Sequence, residues 1–544
     1  MAVTITDLRT TRNEADTTTG WASSVPLNLF TSNPPPVEAA GHLGQVVNNR
    51  RAYLHHTAAA VNLTDTLIYV WFQPGPAMAN TANDGFGVVL FDGTNRIQYK
   101  IGGSDKSVFR HNIGVPTYNC MVIDTSNLPS SPYVWAGSAA GLNLASITGM
   151  GSGCRTTLKA IGGIPNVFTD VVRYGNGGLR IAGGTSGDPG KFQEISDLDG
   201  STADARAYGI FRELGSGVYG IQGPLTFGNN TGTASSWFEE ANTTVVFEDR
   251  GLAKDKYKFI IQDNGVGTTT FKLGIKMGSG TSALGTDGVN LTSTFAVGGE
   301  WDSATDTDVT DVFVYGSTFT SLTEGVSFRD PQEFINNSFI GCGQINPNNA
   351  IMVNSDIINS IATSALLWNF NGNTNGKLDG CSFLSTGTGH AIELGPNTPT
   401  DITFTNISFS NYGADGTTDA AIYNNSGKEI NITIDGGTTP TIRNGVGSTT
   451  NIIAVLTTIT LTNLQSNTEI RVYKDDSGQN GDEIDGIENS STSFSFTADA
   501  NETINIIINS LNFLPADIWG FVVPPNNTTI PISQFQDRQY FNPA

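Results

Sequence analysis

Three aspartates recur at a spacing that could place their carboxylates side by side. Asp356, Asp379 and Asp401 are 23 and 22 residues apart, close to the length of one coil in a solenoid of β-strands. Cleavage of a glycosidic bond needs two carboxyl groups about 5–9.5 Å apart, and neighbouring strands lie about 4.8 Å apart. The spacing therefore allows a carboxylate ladder for glycoside cleavage or cation binding, with Glu393 as a weaker fourth member.

The residues around these aspartates favour a structural role instead. Each aspartate lies at or just before a β-rich run, where Asp commonly forms turns. Catalysis would need a raised pKa on one carboxyl group, hence an apolar pocket, yet neighbours such as Asn354 and Lys377 are polar. We therefore predict turn residues, no catalytic residue and a chain that is not an enzyme.

Metal and nucleotide chemistry lack the required patterns as well. The five histidines, including His390, show no zinc-ligand spacing. Residues 183–190 followed by Lys191 resemble a phosphate loop, but Phe192 replaces the Ser or Thr that binds Mg²⁺. The acidic stretches 302–311 and 475–485 could hold calcium, although neither fits an EF-hand. We predict no cofactor and no metal site.

The four cysteines are widely spaced and form no CxxC pair. They are best interpreted as buried thiols without a redox or metal-binding role; these residues are Cys120, Cys154, Cys342 and Cys381.

Short β-rich runs separated by Gly, Asn, Asp, Ser and Thr fill residues 311–453. Phe383 and Phe409 are 26 residues apart, and Phe409 and Ile434 are 25 apart. That period predicts a parallel β-solenoid, in which each coil buries its apolar side chains against the coils above and below.

Two segments carry a family resemblance. Residues 387–394 (GTGHAIEL) and 421–427 (AIYNNSG) resemble rungs of right-handed parallel β-helices in bacteriophage spikes, fibres and related virion proteins. The resemblance implies a homotrimeric tail fibre or spike that adheres to the host surface. A capsid-attached fibre or decoration protein and a polysaccharide depolymerase tailspike are the alternatives, because the architecture alone does not name a function.

Other segments flank the predicted β-helix. Residues 85–93 and 99–103 resemble concanavalin-like or laminin-G-like jelly rolls, many of which bind sugars, and turn residues 92–95 predict a hairpin there. The fold class is thus predicted as all-β: a jelly-roll-like domain, a right-handed parallel β-helix and a small C-terminal β-sandwich. The predicted boundaries are an arm at 1–37, the N-terminal β-sandwich at 38–220, the β-helix at 221–453 and the C-terminal sandwich at 454–544.

The 544-residue chain is strongly acidic, with a net charge of −22. Such a chain is repelled by phosphate backbones, which argues against binding to nucleic acid. No apolar run approaches the roughly 20 residues of a membrane span, and residues 1–6 lack the pattern of a secretory signal. We predict a protein made in the host cytoplasm and assembled into a virion, with other tail or capsid proteins and host surface polysaccharide as partners.

Overall fold

The structure is a computed structural model. It describes residues 3–15, 17–24, 27–30, 42–46, 51–74, 86–100, 119–155, 166–185, 188–195, 209–228, 235–239, 243–248, 251–262, 269–273, 290–293, 300–303, 311–454, 456–500, 502–524 and 527–537.

The regular structure in these ranges is almost entirely β-strand, which confirms the all-β fold class. The exceptions are a helical turn at 192–195 and the 3₁₀ helices Thr125–Asn127, Leu144–Ser146 and Lys254–Lys256. None of the helices in these ranges is long and apolar enough to cross a membrane. The chain divides into two compact units, Met1–Ile351 with Ser355–Leu367, and Met352–Asn354 with Trp368–Ala544.

The first unit begins with an antiparallel sandwich and its flanking strands. These strands are β1 (Thr4–Asp7), β2 (Thr10–Asn13), β3 (Trp21–Ser23), β4 (Leu27–Phe30), β5 (His42–Val46), β6 (Arg51–Val61), β7 (Leu67–Pro74), β8 (Phe86–Phe91), β9 (Arg96–Lys100), β10 (Asn119–Asp124), β11 (Tyr133–Ala136), β12 (Ile147–Arg155) and β13 (Asn166–Tyr174).

Two sheets of the sandwich enclose an apolar core. One has the order β11-β9-β8-β12-β6-β3, and the other has the order β10-β7-β13-β5-β4 with β2 beside β13. Alternate side chains of both sheets fill the space between them, among them Phe72, Met121, Leu90 and Met150. The predicted hairpin is confirmed, since Phe91 pairs with Arg96 across the turn and the Asp92 carboxylate accepts hydrogen bonds from two turn amides.

A parallel β-helix follows in the same unit. Its strands are β14 (Leu179–Ala182), β15 (Phe211–Gly215), β16 (Val218–Ile221), β17 (Leu225–Phe227), β18 (Ser235–Glu239), β19 (Thr244–Phe247), β20 (Lys258–Ile261), β21 (Thr269–Leu273), β22 (Asn290–Ser293), β23 (Glu300–Asp302), β24 (Asp311–Tyr315), β25 (Thr318–Thr320), β26 (Gly325–Ser327), β27 (Glu333–Ile335), β28 (Ser338–Ile340), β29 (Ile345–Asn346), β30 (Asp356–Ile358) and β31 (Ser364–Trp368).

These strands form three sheets, and the coils from β16 to β27 each add one strand to each sheet. Within the first unit the orders are β14-β17-β20-β23-β26-β29-β31, β16-β19-β22-β25-β28-β30 and β18-β21-β24-β27. Buried aromatic rings stack from coil to coil inside the helix. Phe259 lies 4.8 Å from Trp301, and Phe319 lies 4.8 Å from Phe339, measured between ring centroids. Stacking of this kind supports the parallel register.

The start of the β-helix is covered by antiparallel strands. β1, in the segment predicted as an arm, pairs with β14, with Ile5 opposite Ile181. β15 covers the second sheet by pairing with β16. The sequence also predicts a short helix over Ala203–Glu213. Residues 203–208 lie outside the described ranges, and Phe211–Glu213 belong to β15, so the helix prediction is wrong for those three residues. Parallel pairing begins at β14, and the predicted domain boundaries stay predictions.

The second unit contains further coils. Their strands are β32 (Ser382–Leu384), β33 (His390–Leu394), β34 (Asp401–Ser410), β35 (Ile422–Asn424), β36 (Glu429–Gly437), β37 (Ile442–Asn444) and β38 (Thr449–Ala454).

One of the two predicted coil repeats is confirmed there. Phe383 pairs with Phe409, and their ring centroids are 5.5 Å apart. The pairing of Phe409 with Ile434 is wrong, because Ile434 pairs with Phe404 instead. β34 is long and is followed by the turns of residues 411–421, which lengthen that coil and shift its register.

A second sandwich follows, as predicted, and its strand pairs are antiparallel except for one parallel pair between Ile459–Thr462 and Thr528–Pro531. Its strands are β39 (Leu456–Thr462), β40 (Thr468–Asp476), β41 (Gln479–Ser490), β42 (Ser493–Asp499), β43 (Thr503–Asn509), β44 (Ile518–Val522) and β45 (Thr528–Pro531).

The sheets of this sandwich have the orders β42-β39-β45 and β41-β40-β43-β44. Ile459, Val472, Phe496 and Ile506 are among the side chains of its core.

Candidate functional site

Of the three aspartates at coil spacing, two lie in the second unit, and they are not register neighbours. Asp401 pairs with Asn431, whereas the chain next to Asp379 faces Thr405, since the Gly380 amide donates to the Thr405 carbonyl. The turn that precedes β32 therefore separates the two carboxylates along the strand direction. Asp356 belongs to the first unit, where it is exposed and pairs with Ser338.

The contacts of Asp379 and Asp401 are those of surface and turn residues. Asp379 accepts a hydrogen bond from the Gly376 amide at 2.8 Å. Asp401 accepts one from Asn431 at 2.7 Å and one from Thr400 at 2.9 Å. The Asn431 bond, and then the Thr400 bond, lower the pKa of Asp401. A proton donor for glycoside cleavage needs the opposite shift.

The phosphate-loop and metal patterns find no support in the described residues. Phe192, at the position of the missing Ser or Thr, is buried against Phe211 and Trp237. No group of three His, Cys, Asp or Glu in the described ranges could hold a metal ion. Residues 304–310 of one acidic stretch lie outside those ranges, and residues 475–485 lie in the β40–β41 hairpin.

The cysteines for which a pKa shift is resolved are buried. Burial raises the pKa of Cys154 to about 12 and that of Cys342 to about 11. Thiols of this kind are poor nucleophiles.

An unexpected cluster lies on the outer face of the β11-β9-β8-β12-β6-β3 sheet. Strand β12 carries Gly149, Gly151 and Gly153 at alternate positions, so its outer face has no side chains from residue 149 to residue 153. A Cβ at Gly149 would lie 2.5 Å from His55 Nδ1, and one at Gly153 would lie 2.5 Å from Gln98 Oε1. The glycines thus leave a channel in which His55 and Gln98 lie close to the backbone of β12.

Side chains from other strands reach across this glycine channel. Gln98 of β9 donates to the Gly153 carbonyl at 3.1 Å, and Trp135 of β11 donates its indole N–H to Gln98 Oε1 at 3.1 Å. Arg96 Nε donates to His55 Nε2 at 3.0 Å. The polar groups next to the channel are therefore held by one another rather than by solvent.

Aromatic rings surround the Arg96 guanidinium. Its central carbon lies 4.5 Å from the ring centroid of Tyr53 and 4.4 Å from that of Phe91. Trp135 packs edge-on against both Tyr53 and Tyr133, with centroids 4.8 and 4.9 Å apart. All of these side chains are partly exposed. We call this set, Tyr53, His55, Phe91, Arg96, Gln98, Tyr133 and Trp135, the aromatic platform.

His55 is neutral in this platform. It is fully buried, and burial, then the neighbouring Arg96 and His56, lower its pKa to about 3. A neutral imidazole can accept the Arg96 hydrogen bond at Nε2, which places the remaining proton on Nδ1.

The platform can bind a ring that has both an apolar face and hydroxyl groups. Flat aromatic groups provide contact area at small entropic cost, and the guanidinium and amide offer directed hydrogen bonds. Pairs of platform residues occur as Tyr53-x-His55, Arg96-x-Gln98 and Tyr133-x-Trp135. Together with the Gly-x-Gly-x-Gly of β12, this alternation is the sequence signal from which the platform, which was not predicted, could have been found.

The two candidate residues of β33 also take part in contacts. His390 is 5% exposed, and its Nδ1 lies 2.7 Å from the Ala420 carbonyl oxygen. Glu393 accepts a hydrogen bond from Asn425 at 2.9 Å. Neither residue pairs with Asp379 or Asp401 where β32, β33 and β34 pair with their neighbours in the described part of this unit.

Comparisons with known proteins do not identify a family for this chain. No family model matches the chain, and no curated protein matches it. Among solved structures it matches the catalytic unit of a thermostable GH87 alpha-1,3-glucanase from Streptomyces thermodiastaticus strain HF3-3. The identity is 11%, the coverage is 82% of this chain and 96% of that chain, and the TM-score is 0.17.

That match corrects one prediction. The chain was predicted not to be an enzyme, and this exclusion is wrong as it stands, because a glycoside hydrolase is among the structures that it matches. With a TM-score of 0.17, the match carries no argument for a particular activity. Any activity has to be argued from the residues of this chain.

Proposed function

We propose that this chain is a saccharide-binding structural protein of a tailed-bacteriophage virion, and that it attaches the particle to polysaccharide on the host surface. The aromatic platform is the observation that carries the proposal. Its partly exposed rings surround Arg96, an arrangement suited to the face and hydroxyl groups of a sugar. A homotrimeric tail fibre or spike is the first form, and a capsid-attached fibre or decoration protein is the alternative.

Two sequence features support a place in the virion. The rung segments 387–394 and 421–427 resemble those of phage spikes and fibres, and the net charge of −22 keeps a protein soluble at high copy number.

Two measurements on one system test this proposal. Purified particles of the phage that encodes the chain are examined by mass spectrometry and by immunogold microscopy with an antibody against it. The purified protein is then tested by biolayer interferometry for binding to polysaccharide extracted from the host surface. We expect labelled particles and saturable binding. A chain absent from the particles contradicts the virion role, and absence of binding to the extracted polysaccharide contradicts the adhesive role.

Cleavage of polysaccharide is the second candidate function. It is favoured by one observation: Glu393 lies on the same strand as His390, and Asp419 directly precedes Ala420, whose carbonyl oxygen lies 2.7 Å from His390 Nδ1, so the chain segments that carry both carboxylates meet at His390. Two carboxylates are what glycoside cleavage requires. We expect the parent to release reducing ends from the bound polysaccharide and Glu393→Gln to release none. A parent that releases no reducing ends contradicts this second function and leaves the adhesive one standing.

A further inference from the structure

A second cluster of planar and charged side chains lies on the outer face of strands β33, β35 and β37. Glu393 pairs with Tyr423, and Tyr423 pairs with Arg443. The adjacent Ile392 and Ile422 point into the helix and are fully buried. Because side chains alternate along a strand, Glu393, Tyr423 and Arg443 stand next to one another on the outside, and all three are partly exposed.

Three planar groups in this cluster touch one another. The His390 ring stacks on Tyr423 with centroids 4.9 Å apart and an angle of 22°. The Arg443 guanidinium carbon lies 4.8 Å from the Tyr423 centroid, and its Nη1 lies 3.2 Å from His390 Nε2. His390 Nδ1 faces the Ala420 carbonyl, which only a ring N–H can satisfy. Nε2 therefore accepts from Arg443, and the imidazole is neutral.

A chain of hydrogen bonds fixes the polar side of the cluster. The Tyr423 hydroxyl lies 3.3 Å from Asn425 Oδ1, and Asn425 Nδ2 donates to Glu393 Oε1 at 2.9 Å. Glu393 and Tyr423 lie on strands of the β-helix, and Asn425 directly follows the strand of Tyr423. The tyrosine face is thus held next to a carboxylate and a guanidinium without relying on a long loop.

The charge of the cluster selects among sugars. Glu393 lies on the strand of His390, and Asp419 precedes Ala420, which contacts His390; these segments contribute two carboxylates, against the one guanidinium of Arg443. The net charge of the whole chain is also strongly negative, at −22. A saccharide that carries carboxylate or sulfate groups would be repelled, whereas hydroxyl groups can donate to the carboxylates and accept from Arg443.

We propose that His390, Glu393, Asp419, Tyr423, Asn425 and Arg443 form a second saccharide-binding site, specific for uncharged sugars. The sugar ring packs on Tyr423, Glu393 and Asp419 accept from its hydroxyl groups, and Arg443 donates to them. His390 is a positioning residue, because it orients Tyr423 and Arg443. The site is independent of the aromatic platform and binds whether or not the sugar is subsequently cleaved.

The test uses the full chain and isothermal titration calorimetry. The probes are uncharged oligosaccharides of glucose, mannose and galactose and, for comparison, an oligogalacturonate. We expect at least one uncharged probe to bind and the oligogalacturonate to bind at least tenfold more weakly at this site. Tyr423→Ala and Arg443→Gln should each weaken binding of the uncharged probe at least tenfold, whereas Tyr473→Ala, a control at a partly exposed tyrosine of β40, should not change it.

A variant of the aromatic platform distinguishes binding at the second site from binding at the platform, on which the proposed function rests. Trp135→Ala should leave binding of the uncharged probe to the second site unchanged while it weakens binding at the aromatic platform. The inference is overturned if no uncharged probe binds, or if folded Tyr423→Ala and Arg443→Gln bind it as the parent does. It is also overturned if Trp135→Ala alone abolishes that binding, because the sugar then sits on the platform.

Discussion

At the scale of single residues, His55 shows how burial and a neighbouring cation determine a protonation state. Its imidazole is fully buried and accepts a hydrogen bond from Arg96. A proton on Nε2 would break that bond and place a second positive charge beside the guanidinium. The neutral ring is therefore part of the folded platform, and its pKa is lowered to about 3.

This shift predicts a loss of stability in acid. In the unfolded chain His55 binds a proton below about pH 6.5, while in the folded chain it stays neutral down to about pH 3. Stability from this group is thus complete above pH 6.5 and falls as the pH is lowered, by about 2–3 kcal/mol at pH 4.5. We expect His55→Gln, which keeps an acceptor but cannot titrate, to lose less stability than the parent between pH 7 and pH 4.5.

Urea unfolding followed by tryptophan fluorescence at the two pH values measures this difference. Carboxylates titrate equally in both proteins, so the comparison isolates His55. An identical pH dependence in parent and variant would show that His55 is not held neutral in the fold.

The predictability of the site differed from residue to residue. Asp379 and Asp401 were correctly recognised as residues near strand starts, because turn chemistry is local. Their register was not predictable, because it depends on the length of the turn before β32. Arg96 and His55 are 41 positions apart in sequence, and only the order of the strands brings them together.

At the scale of elements, β1 protects the first strand of the β-helix. It pairs with β14 through four residue pairs. An uncovered sheet edge offers unpaired N–H and C=O groups to other chains. We expect deletion of residues 1–6 to cause concentration-dependent association, visible as larger species in size-exclusion chromatography with light scattering.

A matched control keeps the strand but changes its side chains. The double variant Thr4→Ala with Thr6→Ala alters two exposed residues and retains the backbone pairing, so it should behave as the parent does. If the deletion behaves as the parent does too, the edge of β14 is not protected by β1.

The buried aromatic stack predicts a second effect at this scale. Phe339 is 1% exposed and lies 4.8 Å from Phe319. Replacing a buried Phe by Ala typically costs about 3–5 kcal/mol. We expect Phe339→Ala to lower the free energy of unfolding by that amount, and Phe313→Ala, at a partly exposed position of β24, to cost clearly less. Equal losses in urea unfolding would show that the stack is not the source of stability.

Elements were more predictable than their register. Period-two alternation and turn residues identified the Phe86–Lys100 hairpin and the coil from Phe383 to Phe409, because both signals are short-range. Ile434 was assigned to the wrong partner, because β-helix coils vary in length wherever a turn is extended.

At the scale of the whole molecule, the account predicts an oligomer. The resemblance of the rungs to phage spikes and fibres implies a homotrimer, so light scattering at micromolar concentration should give three times the chain mass of 57.5 kDa. A homotrimer would present three copies of each site to one polymer, and linking sites in this way raises overall avidity. A mass of 57.5 kDa would contradict the trimer without affecting either saccharide site.

The central claim is that the aromatic platform binds host-surface polysaccharide, and the affinity of one pair of variants tests it most directly. Trp135 packs on Tyr53 and donates to Gln98, while its neighbour Val134 pairs with the core residue Ile97 on the other face of the sheet. Because both positions lie on β11, a general disturbance of that strand would affect both variants.

Circular dichroism first confirms that the parent, Trp135→Ala and Val134→Ala are folded. Biolayer interferometry then measures the dissociation constant of each protein for polysaccharide extracted from the host. Loss of one aromatic contact at the centre of a binding site typically costs more than 1–2 kcal/mol, so we predict affinity at least about tenfold weaker for Trp135→Ala. Val134→Ala should bind as the parent does. Folded Trp135→Ala with the affinity of the parent would contradict the account.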